Sequence, residues 1–322
     1  MKLTPRTTRG YEAAVPSRFP LAAQRLVVVT GKGGVGKTTV TAAFAQAAAA
    51  ARRRVLAVEV GRGRLGALLG AGTLTHEPTR VAPRLSVARL EADAVLGDFI
   101  LSALRLRVLA RRLLESTTFQ VLAAAAPGLP ELLVLHRVAG WLEERRLGRA
   151  TYDLILLDAP ASGHSLPLLA APRTLGALAR FGPVAKLLRE MEHVLRDPAT
   201  TLIGLVTTPE ELAVRETLEL HRELHAGLGL PVAPPILNAM PRRRFTPTDE
   251  AALAALDPDD PHVVAARFHL ERRRQAELQY ATLRRALGVA PVRLPLLFPP
   301  PEASDGIDDL ASDLARAAGL AA

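Results

Sequence analysis

Short apolar runs recur along the chain, and stretches with helical patterns separate them. The runs are rich in Val, Leu and Ile, and they are apolar at both alternating sets of positions, which is typical of strands buried on both faces of a parallel sheet. They lie at residues 26–30, 55–60, 85–90, 154–157, 202–207, 235–239 and 292–297. Strands that alternate with helices predict an α/β fold whose mostly parallel sheet is covered by helices on both faces.

Two intervals contain long helical patterns and no expected strand: residues 92–146 and residues 175–196. We interpret them as a helical subdomain inserted into the α/β domain. Within residues 95–116, five polar residues lie along one narrow stripe, and the rest of that helix is largely apolar. The five residues of the stripe are Asp98, Ser102, Arg105, Arg112 and Glu115. The surplus apolar surface either forms core between helices or lines a groove.

Length and composition limit the classes of protein to consider. A chain of 322 residues that is 49% hydrophobic can bury a sizeable core. The absence of cysteine excludes disulfides, thiolate metal sites and cysteine nucleophiles. Residues 1–23 lack the apolar segment of a signal peptide, so we expect either a disordered lead-in or a start site assigned too early, before a domain at 24–322. No run of 18 apolar residues is free of proline and charge, which predicts a cytoplasmic protein without a transmembrane segment.

The net charge of +9 comes mainly from arginine. The arginines are interleaved with glutamates along helical segments, which indicates solvated helix faces and disfavours a nucleic-acid partner. Only four of the 41 basic residues are lysines, and two of these, Lys32 and Lys37, lie in one glycine-rich loop.

That loop, GKGGVGKT at residues 31–38, fits the pattern G-x-x-x-x-G-K-[ST]. It comes after an expected strand and opens an expected helix, so its backbone N–H groups and the helix N-terminus are suited to hold phosphate. We expect Lys37 to reach the β- and γ-phosphates and the hydroxyl of Thr38 to bind Mg²⁺. The full set of expected nucleotide contacts in the loop is Gly33, Gly34, Val35, Gly36, Lys37, Thr38 and Thr39.

An acidic position completes the expected metal site. The apolar run at 154–157 ends in Asp158, and a carboxylate there can hold the water shell of Mg²⁺. The sequence therefore predicts Mg²⁺ at Thr38 and Asp158, with ATP as the nucleotide. No guanine-binding motif of the form N-K-x-D is present in the sequence, which disfavours GTP.

The run K-G-G-V-G-K-T-T resembles the deviant Walker A motif of the class that contains MinD, ParA, the nitrogenase iron protein and the ArsA-type ATPases. In that class the additional lysine crosses a dimer interface to phosphate bound by the other subunit. The resemblance implies that Lys37 contacts the phosphate bound by its own subunit and that Lys32 contacts the phosphate bound by the partner subunit. It also implies a homodimer or a heterodimer with a paralogue.

The segment DAPASGHSL, residues 158–166, resembles the D-T-A-P-T-G-H-T-L-R motif of the ArsA family, which includes the eukaryotic tail-anchored-protein targeting ATPases. The resemblance implies that Ser162, Gly163 and His164 sense the γ-phosphate. Four further segments are similar to family motifs, and one of them assigns Asn238 to the adenine base. They are APGLPELL (126–133), LVTTPEELAVRETLEL (205–220), ILNAM (236–240) and LPLLFPPPEASDGIDDLA (294–311), so the likeness covers residues 24–322.

The chain also departs from this pattern. Without cysteine it lacks ligands for an iron–sulfur cluster, thiolate-bound arsenite or a C-x-x-C zinc. The family has Asp-Pro-Ala-His after its second strand, where the Asp positions the attacking water. Here the run is VLAVEVGRGRLGALLG (55–70), and Gly61 stands at the position of that Asp. The nearby Glu59 is a candidate substitute for the Asp that positions the water, and a partner subunit is another candidate source of such a carboxylate. Because position 61 itself lacks the carboxylate, we expect slow hydrolysis.

The resemblance implies an ArsA-like dimeric ATPase that couples its nucleotide state to the handling of an apolar client protein. One alternative is a nucleotide-binding pseudo-ATPase that serves as a scaffold. Another is a positioning ATPase of the MinD or ParA type. The last segment, DGIDDLASDLARAAGLAA (305–322), is acidic and then neutral, which disfavours docking by a basic amphipathic helix as in MinD.

Overall fold

The computed structural model describes residues 24–61, 63–91, 95, 128–160, 162–176, 182–297 and 307–320. Its strands are β1 (Leu26–Thr30), β2 (Val55–Val60), β3 (Thr79–Ala82), β4 (Leu85–Leu90), β5 (Arg145–Arg146), β6 (Arg149–Ala150), β7 (Leu154–Asp158), β8 (Thr201–Thr207), β9 (Ile236–Met240) and β10 (Val292–Pro295). Eight of them form one sheet in the order β10-β9-β8-β1-β7-β2-β4-β3. Within this eight-stranded sheet, only β3 is antiparallel to its neighbour, so the expected α/β fold with a mostly parallel sheet is confirmed.

The helices are α1 (Lys37–Ala50), α2 (Leu65–Leu68), α3 (Leu129–Glu143), α4 (Ser162–Gly176), α5 (Gly182–Arg196), α6 (Glu211–Arg222), α7 (Pro247–Ala254), α8 (Pro261–Leu287) and α9 (Asp308–Ala317). A π-helical turn, Glu223–Gly227, continues α6. In the part of the chain that is described, no helix is both long enough and apolar enough to span a membrane.

All seven expected strands are present, and their ends differ from the expected ones by two residues at most. The sequence pattern missed β3, whose side chains are exposed or half-buried, and the two-residue strands β5 and β6, which contain three arginines. These strands lie at an edge of the sheet or outside it. They carry no apolar run because they bury little side-chain surface.

The two faces of the sheet take alternate residues of each strand, as the pleat requires. In β1, Val27 and Val29 pack with α1, α2 and α9, whereas Leu26 and Val28 pack with α3, α4 and α5. Each face has its own buried apolar cluster, which includes Phe44 of α1 on the first face. The sheet is therefore covered by helices on both sides.

The expected helical insertions are described only in part. Residues 92–94 and 96–127, which carry the polar stripe Asp98–Glu115, lie outside the described residues. Within the remainder, α3 contacts α4 and α5, and Leu133 and Trp141 of α3 are buried in the cluster on the sheet. This part of the interval is core rather than a groove. The limits of the insertions, 92–146 and 175–196, stay a prediction.

The topology places the loop after β1 at a crevice. Because β1 lies between β7 and β8 and is parallel to both, the carboxyl ends of these three strands meet at one edge of the sheet. After β1 the chain forms β2 and β4 on one side of β1, and later it forms β8 and β9 on the other side. The strand order therefore changes direction at β1, which makes β1 a topological switch point. Ligands of open α/β sheets bind at such points.

Candidate phosphate-binding site

The loop between β1 and α1 requires glycine at two positions for reasons visible in the structure. Gly31 has φ +148°, and a Cβ there would lie 2.1 Å from the carbonyl oxygen of Val206 in β8. Gly36 has φ +90° and is the N-cap of α1, so the helix begins without a side-chain cap. The N–H groups of the first turn are thus available to an anion, which a helix N-terminus attracts.

The other expected contacts of the loop line this turn. Gly33 and Gly34 are exposed, Val35 is buried, and Thr39 is half-buried in the first turn of α1. Gly34 also has a positive φ of +83°, and no described atom lies within 4 Å of the place where its Cβ would be. The loop therefore presents its backbone rather than side chains to the crevice.

Lys37 folds back across the loop. Its side chain is largely buried, and its Nζ donates a hydrogen bond to the carbonyl oxygen of Lys32 at 2.9 Å. Burial lowers the pKa of Lys37, and the nearby Asp158 carboxylate offsets part of this effect. The ammonium group is thereby held inside the turn, where the phosphates of a nucleotide are expected.

Thr38 and Asp158 meet beside Lys37. The hydroxyl of Thr38 donates to Oδ2 of Asp158 at 2.7 Å, and the hydroxyl of Thr41 lies 3.4 Å from Oδ1. Asp158 is paired in register with Val29 of β1, which fixes its distance from the loop. Burial raises the pKa of Asp158 to about 6, although the hydrogen bond from Thr38 and the charge of Lys37 lower it.

The oxygen atoms of Thr38 and Asp158 suit Mg²⁺, which prefers hard oxygen ligands and keeps several waters and phosphate oxygens. In the described ranges, no group of three or more His, Asp or Glu side chains is placed to hold a metal ion. A site with two protein oxygens beside a phosphate loop is consistent with a metal that enters together with its nucleotide.

Lys32, the second lysine of the loop, points towards α6. Its Nζ lies 2.8 Å from Oε1 of Glu216, and about a third of each side chain is exposed (33% and 36%). Lys32 therefore has a carboxylate partner in its own subunit and lies at the surface of the crevice. Its role in a partner subunit stays a prediction.

Asn238 holds the loop from the side of β9. Its Nδ2 donates to the carbonyl oxygen of Val35 at 2.9 Å, and a Cβ on Gly36 would lie 2.4 Å from the same nitrogen. This contact is a second reason for glycine at position 36. Sequence reasoning missed this supporting role, and the expected contact of Asn238 with adenine stays a prediction.

Glu59 is fully buried at the end of β2, opposite Asp158 in the strand register. Its Oε1 accepts a hydrogen bond from the backbone N–H of Leu65 at the start of α2 at 2.8 Å. Its Oε2 accepts from Nε of Arg89 and pairs with that guanidinium at 2.9 Å. Both oxygens are therefore engaged. The catalytic role expected for Glu59 stays a prediction, and these contacts count against it.

Gly61 comes directly after β2 with φ +80° and donates its N–H to the carbonyl oxygen of Leu90 at 2.8 Å. No described atom lies within 4 Å of the place where a Cβ would be. The position is open, but it carries no carboxylate. Further along the same edge, Ser162, Gly163 and His164 form the start of α4, and their expected role in sensing the γ-phosphate stays a prediction.

A glycine-rich loop between the first strand and first helix, a lysine folded over it and an acidic strand end beside it define a P-loop nucleotide-binding protein. Residues 24–182 match the family of anion-transporting ATPases. The chain is also 31% identical over 254 residues to the ATPase BagA of Mycobacterium tuberculosis, an alignment that covers 76% of this chain and 73% of that protein. The chain therefore belongs to the anion-transporting ATPase (ArsA) family.

Two more distant relatives carry related names. The chain is 26% identical over 247 residues to the arsenical pump-driving ATPase of Escherichia coli, covering 70% of this chain and 41% of that protein. It is 25% identical over 245 residues to the ATPase ASNA1 homolog of Cryptosporidium parvum, covering 66% of this chain and 64% of that protein. The family consists of ATPases and so supports nucleotide binding in general.

Proposed function

We propose that this protein binds Mg²⁺-ATP at the loop between β1 and α1 and uses the nucleotide to control assembly with a second subunit. The observation that carries the proposal is the convergence of Lys37, Thr38 and Asp158 at the ends of β1 and β7. Lys37 binds the β- and γ-phosphates as a compact cation. Thr38 and Asp158 hold Mg²⁺, which neutralises phosphate charge when it is bound.

The contact of Lys32 with Glu216 supports a switch between two partners. An exposed ion pair contributes only about 0–1 kcal/mol, so a phosphate group can replace the carboxylate at little cost. In the proposed assembly Lys32 leaves Glu216 and contacts the nucleotide of the other subunit. That subunit is a second copy of the chain or a paralogue.

We propose that hydrolysis is slow. Gly61 offers no carboxylate to orient water, and the neighbouring Glu59 is held by Leu65 and Arg89. A group that orients the attacking water is a recurring part of such active sites, and its loss costs orders of magnitude in rate.

We further propose that the nucleotide state controls an apolar client site within the intervals 92–146 and 175–196, outside the part that α3 contributes to the core. The largely apolar pattern of residues 95–116 supports this proposal. The sheet, α4 and α5 already cover α3, so α3 is not available to bury that additional apolar surface. A fluorescent dye that reports exposed apolar surface tests it. Dye binding should change between the ADP state and the state with an ATP analogue, and dye binding absent in every state would refute a client groove.

A second candidate function is that of a pseudo-ATPase scaffold, which binds nucleotide without turnover. The engaged Glu59 and the side-chain-free Gly61 favour it. By contrast, nothing in the described residues favours MinD-like docking by the last helix. The apolar residues Leu310 and Leu314 of α9 are buried against the core, and α9 packs on α1.

Light scattering with Mg²⁺ and a non-hydrolysable ATP analogue tests the assembly. The wild-type protein should double its mass with the analogue, and Lys32→Ala should bind the analogue but remain a monomer. Lys186→Ala is the matched control, because Lys186 is exposed on α5 and pairs with Glu190 one turn away. If Lys32→Ala assembles as well as Lys186→Ala, the proposed role of Lys32 is wrong.

A further inference from the structure

A second cleft lies at the amino edge of the sheet, on the opposite side from the phosphate loop. It has a volume of about 710 Å³. The six-residue strand β2 separates Arg54 in this cleft from Gly61 at the other edge, which corresponds to a distance of roughly 20 Å. A ligand in the phosphate loop therefore does not reach it.

Four arginines line the cleft: Arg54, Arg80, Arg84 and Arg146. The lining residues include no carboxylate. Among the described residues, only Arg54 of the four has an acidic partner, because Asp153 binds it through both carboxylate oxygens. Arg84 donates to the carbonyl oxygen of Arg52 at 2.9 Å, and Arg80 makes a long contact of 3.4 Å to that of Ala82.

The acidic side chains around the cleft offset only part of its positive charge, since Asp153 pairs with Arg54. Glu77 and Glu144 lie close enough to raise the pKa of Tyr152 in the cleft wall, in addition to the larger effect of its burial. Glu77 already pairs with Arg137 at 2.7 Å. The exposed side chains of Arg80, Arg84 and Arg146 share one concave surface, where like charges repel one another and field lines are focused. An anion is the partner that relieves this repulsion.

The cleft wall also carries polar groups suited to an oxyanion. Ser86, Thr151 and Tyr152 line it with hydroxyl groups. The hydroxyl oxygen of Thr151 is buried and has no hydrogen-bond partner in the described structure. Val55 and Leu85 form an apolar part of the wall.

We propose that this arginine cleft binds a small ligand that carries two or more phosphoryl groups. The planar guanidinium matches two phosphate oxygens at once, and the three groups without an acidic partner among the described residues, those of Arg80, Arg84 and Arg146, exceed what a single phosphate can engage. The volume falls within the range of small-molecule sites, about 300–1,000 Å³. The apolar wall receives the part of the ligand that bears no phosphate. The same chemistry fits a soluble polyphosphorylated molecule or a phosphorylated lipid head group.

Calorimetric titration with inorganic pyrophosphate tests the proposal. The titration uses the Lys37→Ala background, which weakens binding at the phosphate loop. Arg80→Ala combined with Arg146→Ala removes two exposed arginines of the cleft and should weaken pyrophosphate binding by about 100-fold. Arg244→Ala combined with Arg285→Ala is the matched control, since both residues are exposed and lie outside the cleft. The control should bind like its parent.

Vesicles of phosphatidylcholine with a phosphatidylinositol bisphosphate, a lipid head group that also carries more than one phosphate, distinguish the two sources of phosphate. Pyrophosphate binding without vesicle binding supports a soluble ligand, and vesicle binding that depends on Arg80 and Arg146 supports a lipid head group. If neither binds, or if the cleft and control variants lose equal affinity, the proposal is overturned. Equal melting temperatures of the two double variants exclude loss of the fold as the cause.

Discussion

The ends of β1 and β7 differ sharply from the end of β2, although all three lie at the same edge of the sheet. At β1 and β7, Lys37, Thr38 and Asp158 are close together and face a loop whose backbone is open to an anion. At β2, Glu59 is engaged by Leu65 and Arg89, and Gly61 has no side chain. The first region has the groups needed to bind a nucleotide, whereas the second lacks a free carboxylate to activate water.

The difference teaches that binding and hydrolysis can be separated within one site. In the proposed function, phosphate binding relies on backbone groups of the loop and on Lys37, and none of these lies at the end of β2. Hydrolysis adds a requirement for one oriented water, which a single residue can supply or withhold. Glu59 accepts a hydrogen bond from the backbone N–H of Leu65 at the start of α2 and pairs with Arg89, which is a structural role.

The largest expected effect concerns the binding region. Lys37→Ala removes the ammonium group beside the phosphates, and we expect Mg²⁺-ATP affinity to fall by about 100-fold or more, since hydrogen bonds to charged groups are the strong ones. Calorimetry measures this directly, with Lys186→Ala as a control of equal charge. Unchanged affinity in Lys37→Ala would show that the nucleotide binds elsewhere.

The next prediction concerns Asp158 in the protein without nucleotide or metal. Its pKa is raised to about 6, whereas an unfolded Asp has a pKa near 3.9. Between these values the folded state binds more protons than the unfolded state, so the free energy of unfolding falls as pH rises from about 4 to about 6 and then stays low. The ionised carboxylate thus costs about 2–3 kcal/mol at pH 8.

Asp158→Asn should therefore stabilise the ligand-free protein at pH 8 by up to about 2 kcal/mol, and the gain should shrink towards pH 4. Urea denaturation in the presence of a chelator measures it, with Asp309→Asn as an exposed control. The same variant should lose Mg²⁺-dependent nucleotide binding. A wild-type protein that is the more stable of the two at pH 8 would contradict the burial argument.

A smaller effect is expected at the pair between Lys32 and Glu216. Glu216→Gln removes the charge that holds Lys32 in its own subunit, and the half-exposed pair is worth at most about 1 kcal/mol. Assembly with the ATP analogue should then need up to about fivefold less protein. Analytical ultracentrifugation over a concentration series measures this. Weaker assembly in Glu216→Gln would mean that Glu216 itself contributes to the interface.

The sequence predicted the strands, the phosphate loop and Asp158, because each is marked locally. An apolar run indicates a buried strand, and a glycine-rich turn that leads into Lys37 and Thr38 indicates a phosphate site whatever surrounds it. The fold confirmed these strands. The exposed strand β3 carries no such pattern and was missed.

Contacts between distant segments could not be predicted in the same way. Asn238 supports Val35 from 203 residues away, and Arg89 engages Glu59 from 30 residues away. Glu59 therefore looks like a free carboxylate in the sequence, although tertiary packing occupies both of its oxygens. The arginine cleft has the same origin, since its members come from separate segments of the chain.

The central claim is that this site binds Mg²⁺-ATP but lacks the carboxylate at position 61 that hydrolysis needs. The most direct measurement is the single-turnover hydrolysis rate of Gly61→Asp against Gly61→Asn and the wild type. The position has room for a side chain, and both Asp and Asn tolerate a positive φ better than most residues. We predict a gain of roughly threefold or more for Gly61→Asp alone. Equal hydrolysis rates in Gly61→Asp and Gly61→Asn would contradict the account. So would a result in which neither variant hydrolyses ATP faster than the wild type.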